Sequence, residues 1–128
     1  MRKKILLVDD NKDLLELLRL NFKDAGFSII TATDGIEALK KARSVLPDVI
    51  LLDLMLPELD GFAVCEQLRR DPATASVPIL MLSGMSGQIP KYAGLESGGT
   101  DFISKPASPA ALLARIREVL GNDKVTNR

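Results

Sequence analysis

The chain contains no histidine among its 128 residues. That excludes His-based metal sites, histidine general bases and any histidine phosphodonor within the chain. Cys65 is the single cysteine, so no intramolecular disulfide forms and a reduced compartment is the natural setting. Net charge is also missing: 17 Lys and Arg balance 17 Asp and Glu. Bulk electrostatics therefore gives no reason to expect a nucleic-acid or membrane-surface partner. The basic start Arg2-Lys3-Lys4 is too short to alter this and reads as a solvated lead into a first strand. No apolar run is long enough for a membrane span or for the core of a signal peptide, since Ile5-Leu6-Leu7-Val8 stops after four residues. The cytoplasm is the expected location. Repeats and low-complexity tracts are absent as well.

What is present is a folding sequence. Hydrophobic residues make up 46% of the chain, and its length suits one domain with one buried core. Residues 1–121 are expected to form that domain, with 122–128 a polar tail or the start of a linker. Three short, continuous apolar runs stand out: Ile5 to Val8, Val49 to Leu52 and Ile79 to Leu82. Continuous apolarity suits strands covered on both faces of a parallel sheet. Ser28 to Thr31 and Asp101 to Ser104 are weaker candidates.

Helical patterns fall between the strands. Asp13 to Asp24 carries a leucine-rich stripe and ends at Gly26. Asp34 with Glu37 forms a capping box for a helix ending near Leu46, before Pro47. Asp60-Gly61 opens a third helix through Arg70, in which Cys65 is a small core filler. Ser86 to Ser97 contains Gly87, Pro90 and Gly94, so this fourth helix is expected to start late or to be loosely held. Ser108-Pro109 caps a fifth, which is read to Gly121. Five alternating strands and helices imply an α/β fold with a doubly wound parallel sheet and right-handed crossovers.

In open α/β sheets, ligands bind beyond the carboxyl ends of the strands, at the switch in strand order. Asp9 and Asp10 follow the first strand, Asp53 the third, Ser83 the fourth and Lys105 the fifth. In the common order 2-1-3-4-5 the first and third strands are neighbours, which brings the three aspartates together. Clustered carboxylates repel, and a hard divalent cation lets them coexist; oxygen-only ligands favour Mg²⁺. With a lysine and a hydroxyl opposite, this is a site for a phosphoryl group. A carboxylate in it can attack phosphorus and form an acyl phosphate. Each residue also has a plain reading. Asp9-Asp10 could be a helix cap and turn, Asp53 the start of a turn, Ser83 a turn hydroxyl, and Lys105 a surface lysine. The coincidence of four strand ends favours the site.

The set Val8-Asp9-Asp10, Asp53-Leu54-Met55-Leu56-Pro57 with Asp60-Gly61, Ser83, Gly98 through Asp101-Phe102, and Lys105-Pro106 resembles the receiver domain of two-component response regulators, of the chemotaxis type. The likeness runs from Lys4 to about Leu120. It implies a five-stranded, flavodoxin-like (βα)₅ fold. It further implies that Asp53 accepts the phosphoryl group. Asp10, Asp53 and the Met55 backbone carbonyl would bind Mg²⁺, with Asp9 helping through water. Lys105 would contact the phosphoryl group. Ser83 and Phe102 would be the switch pair. Implied partners are a sensor histidine kinase or histidine phosphotransfer protein at the first helix, and a downstream protein or fused output domain at the surface of helix 4, strand 5 and helix 5. The resemblance also allows a homodimer on phosphorylation, and implies self-directed chemistry only: phosphorylation and slow autodephosphorylation.

Departures from the family pattern are Gly84 in place of the usual Ala, Phe102 in place of a tyrosine, Ala107 in place of a bulky residue, and the Gly87 and Pro90 region. Met55 and Met85 stand two residues beyond Asp53 and Ser83, where the family tunes acyl-phosphate hydrolysis; two apolar side chains there would shield the site from water, and the equal alternative is that both simply fill gaps in the packing. Other functions fit less well. A phosphatase of the haloacid dehalogenase type needs a second acid two residues after its nucleophile, where Met55 stands. A degenerate binding module would have lost an acid or the lysine. A flavin or nucleotide binder would carry a glycine-rich loop where Asp9-Asp10-Asn11 stands.

Overall fold

The computed structural model describes residues 2–84 and 88–126; of 88–89 and 122–126 only the backbone is described. The order is β1 (Lys4–Val8), α1 (Lys12–Asp24), β2 (Ser28–Ala32), α2 (Gly35–Val45), β3 (Val49–Asp53), α3 (Gly61–Arg70), β4 (Ile79–Ser83), α4 (Gln88–Glu96), β5 (Asp101–Ser104) and α5 (Pro109–Thr126). All strands are parallel, in the order β2-β1-β3-β4-β5.

The two-residue period of a strand sorts the core into two layers. Leu6, Val8, Ile50, Leu52, Ile79, Met81 and Phe102 face α2 and α3, meeting Ala38, Ala42, Val64, Cys65 and Leu68. Ile5, Leu7, Val49, Leu51, Leu80, Leu82 and Ile103 face α1 and α5, meeting Leu15, Leu18, Phe22, Leu112 and Ile116. Every residue of β3 and β4 is buried. The two weaker candidates, β2 and β5, are the edge strands, and each has an exposed end.

Local chemistry sets the helix starts. Asp34 accepts from the Glu37 N–H at 2.8 Å, while the Glu37 carboxylate reaches back to the Thr33 N–H at 2.7 Å. Ser108 Oγ accepts from the Ala111 N–H at 3.1 Å, with Pro109 at the first helical position. The cap of α1 is Asn11, whose side chain accepts from the Leu14 N–H at 3.1 Å, and not either aspartate before it. Gly26, at φ +100°, closes the turn after α1. Gly121 has no such backbone and does not end α5, which runs on to Thr126, beyond the stop read from the sequence. The fourth helix is described from Gln88, which places Pro90 in its first turn, where no intrahelical donor is lost. Ser86, Gly87 and Met85 lie outside the described residues.

Candidate functional site

The parallel ladders continue one residue past several strands and so fix the site's backbone. Asp9 N–H donates to Ala32 O at 3.1 Å, Leu54 N–H to Leu82 O at 3.0 Å, and Lys105 N–H to Ser83 O at 2.7 Å. Asp9, Asp53, Ser83 and Lys105 are thereby carried to one edge of the sheet.

Asp9, Asp10 and Asp53 offer carboxylate oxygens that all lie within 4.8 Å of one another. Asp9 and Asp53 are buried, whereas Asp10 is exposed. One oxygen of each buried acid is tied to the backbone two residues on: Asp9 Oδ1 accepts from Asn11 N–H at 2.9 Å, and Asp53 Oδ1 from Met55 N–H at 3.0 Å. The other oxygen of each turns to the Lys105 ammonium, at 3.1 Å for Asp9 Oδ2 and 3.4 Å for Asp53 Oδ2. The Lys105-Pro106 peptide is cis.

Burial pushes the Asp53 carboxyl above its ordinary range, and the Asp9 charge adds to that; the Met55 N–H and then Lys105 pull the other way. For Lys105, burial works against the charge, but the hydrogen bond it donates to Asp9 and the charges of Asp53 and Asp9 outweigh it and raise its pKa. One ammonium thus meets two of the three clustered acids, Asp9 and Asp53. The donor set is oxygen only and one acid is open to solvent, which suits a hydrated hard cation such as Mg²⁺ better than zinc.

Ser83 is fully buried at the end of β4, and its backbone carbonyl receives Lys105. Phe102 is not at the carboxylate cluster. It lies inward in the core, on the α2–α3 side of the sheet. The Met55 side chain is exposed, so its backbone N–H is the part that engages Asp53. Asn11 was missed by sequence reasoning; its backbone N–H holds Asp9 while its side chain caps α1. An Asn three residues before Leu14, at the start of an apolar stripe, was the available signal.

Residues 5–117 match the family model described as the response regulator receiver domain. The chain belongs to this family. Alkaline phosphatase synthesis transcriptional regulatory protein PhoP of Bacillus subtilis is 46% identical to the receiver domain over 125 residues, 98% of this chain and 51% of that protein. Response regulator PleD of Caulobacter vibrioides is 40% identical over 119 residues, 93% of this chain and 26% of that protein. The receiver domain thus spans about half, or less, of the length of these relatives. Among solved structures, the chemotaxis protein CheY4 of Vibrio cholerae superposes with a TM-score of 0.88 at 34% identity, covering 93% of this chain and 99% of that one. A response regulator from Chloroflexus aurantiacus gives 0.88 at 36%, covering 94% and 99%. These likenesses place the receiver domain in two-component signal transduction, and the sheet order of the fold agrees. Among the described residues no helix is long and apolar enough to cross a membrane.

Proposed function

We propose that Asp53 is the phosphoacceptor, taking its phosphoryl group from a sensor histidine kinase or a histidine phosphotransfer protein. The observation that supports this best is the Lys105 ammonium 3.4 Å from Asp53 Oδ2, inside a cluster of three carboxylates. The phosphodonor must come from outside, since the chain has no histidine. An oxygen of Asp53 attacks phosphorus, a P–O bond forms, the P–N bond to the donor imidazole breaks, and the imidazole nitrogen leaves with its electron pair. Asp10, Asp53 and the Met55 carbonyl, with Asp9 through water, would hold Mg²⁺, which offsets charge on the phosphoryl oxygens when bound. Lys105 offsets charge from the other side. The chain's chemistry is directed at itself: phosphorylation and slow autodephosphorylation.

The new dianionic group gives Lys105 and the Ser83 hydroxyl a shared acceptor at the strand ends. That biases the loop after β4 and, through Phe102, the surface of α4, β5 and α5. This surface is the readout for a downstream protein, a fused output domain or a second phosphorylated copy, and α1 is the docking helix for the donor. Several relatives are transcriptional regulators, and RpaA of Synechocystis is named as DNA-binding. The expectation of no nucleic-acid partner is therefore narrowed to the residues present here. We keep residues 1–121 as the receiver unit and 122–128 as a polar extension whose first residues continue α5, and place the protein in the cytoplasm.

The test is intact mass after incubation with acetyl phosphate, with and without Mg²⁺, on wild type and Asp53→Asn. One phosphoryl adduct that needs Mg²⁺ and is lost in the variant is expected. Folded wild type with no adduct, or an adduct that survives Asp53→Asn, overturns the assignment.

A further inference from the structure

The Arg69 side chain lies far from the carboxylate cluster and takes no part in the chemistry above. Its guanidinium nevertheless joins three segments. Nε donates to Gly98 O at 2.8 Å, and Nη1 to Val77 O at 2.6 Å and Ala75 O at 3.1 Å. Nη2 reaches Thr100 Oγ1 at 3.5 Å, and that hydroxyl in turn accepts from the Ile79 N–H at 2.9 Å. The end of α3, the loop into β4 and the turn from α4 to β5 are thus tied by one charged group, whose hydrogen bonds are stronger than neutral ones.

The sequence makes room for this contact. Gly98 has φ +112°, and a Cβ there would sit 2.5 Å from Arg69 Cγ. The arginine stem can lie against the turn only because that side chain is missing. Two more glycines seal the same end of α4: a Cβ on Gly94 would come 2.7 Å from Met81 Sδ, and one on Gly99 2.4 Å from it. Lys91, Tyr92, Ala93, Leu95 and Glu96 are exposed, and Gly94 is the single buried residue among those of α4 whose side chains are described, so the helix is held at Gly94 and at the turn that follows it.

We propose that Arg69 is the pin of a pivot. It holds the carboxyl end of α4 fixed at Gly98, so that α4 responds to phosphorylation by swinging at its amino-terminal half and not by sliding or melting as a whole. This rests on the reading that Asp53 phosphorylation biases α4. Arg69 is a positioning residue: it sets where movement stops. Without it, movement spreads through the turn into the start of β5.

The experiment is amide hydrogen exchange on the full chain, wild type and Arg69→Lys, before and after acetyl phosphate with Mg²⁺. Gly98, Gly99 and Thr100 are useful reporters, because their N–H groups bond Leu95 O, Gly94 O and Ile79 O. Before phosphorylation, Arg69→Lys should exchange at these three amides about tenfold faster, as expected from losing charged hydrogen bonds, with β1 and β3 protection unchanged. After phosphorylation, wild type should change within α4 up to Ala93 and stay constant at 98–100, while Arg69→Lys should change in both. Equal protection of 98–100 in the two unphosphorylated proteins overturns the pin, and this arm needs no phosphorylation. Wild type that changes at 98–100 on phosphorylation overturns the pivot. An adduct missing from the mass spectrum counts against the phosphoacceptor reading and removes the pivot with it, leaving the pin to be decided by the first arm.

Discussion

Gly61 opens α3 directly against the end of β3. Its N–H donates to Leu54 O at 3.1 Å. A Cβ there would lie 2.6 Å from Asp53 O, 2.6 Å from Leu54 Cα and 2.8 Å from Leu54 Cδ2. Two of these are backbone atoms at the end of β3, beside the proposed phosphoacceptor Asp53, and they cannot rotate away. Gly61→Ala must therefore push α3 off β3 or bend the end of β3. Overpacking of this kind costs about 1–3 kcal/mol. The better helix propensity and stiffer unfolded chain of alanine return about 1 kcal/mol at most. Rigid backbone atoms put the overpacking cost in the upper part of its range, about 2–3 kcal/mol, so the net destabilisation is about 1–2 kcal/mol, which for a chain of this size lowers Tm by about 4–8 °C. A carboxylate displaced by a sizeable fraction of an ångström should also react about ten- to a hundredfold more slowly with acetyl phosphate. Thermal unfolding followed by circular dichroism and phosphorylation rates by intact mass measure the two effects. Gly84→Ala is the control, since a Cβ there meets nothing within 4 Å. It should stay within about 0.5 kcal/mol of wild type. A Gly61→Ala protein as stable and as reactive as wild type would refute the close-approach argument.

Other predictions follow from single residues. Asp53 has a raised pKa through burial, so its folded state binds the proton more tightly than its unfolded state. Stability is thus lost as pH rises from the unfolded pKa through the folded one, and metal-free Asp53→Asn should be about 1 kcal/mol more stable at neutral pH. Urea titrations should show that gain shrinking toward acid pH; a constant gain would argue against a charge effect. Mg²⁺ at ten times its Kd should raise wild-type stability by about 1.4 kcal/mol and the variant's by less, readable as a Tm shift. Exposed Glu58 has φ +64°, and Glu58→Gly should relieve about 1 kcal/mol of left-handed strain and lose about half of it to a freer unfolded chain. A Tm rise of about 2 °C is expected, and a fall would contradict it. Burial pushes the Cys65 thiol up to about 11, so a thiol reagent at mildly alkaline pH should modify it only through opening of the core, and rapid labelling of folded protein would show that α3 is not packed as described.

The sequence revealed most where covering on both sides forces a simple pattern. β1, β3 and β4 were visible as unbroken apolar runs because layers of helices cover both faces. β2 and β5 were fainter because they are edges, and their ends face water. Strand order came from the frequency of one arrangement and not from these residues. Within the site, sequence could place Asp9 and Asp10 side by side but not say that the first is buried and the second exposed. That difference depends on the ladder bond from Asp9 to Ala32 in a neighbouring strand. Arg69 and Arg70 were equally indistinguishable, since both read as cations at a helix carboxyl end. One ties three segments together and the other pairs loosely with Glu66 at 3.8 Å. Gly121 misled because glycine marks a helix end only where the backbone turns left-handed, as it does at Gly26 and not there.

The ammonium that meets Asp9 comes from 96 positions further along the chain. The carboxylates of β1 and β3 can gather once the first half of the chain has folded, but Lys105 joins them only after β5 has docked on β4. A half-made or partly opened domain therefore displays an aspartate without its counter-charge. Under the proposed reading, acceptance of a phosphoryl group at Asp53 would therefore require β5 to be docked on β4, because Lys105 follows that strand.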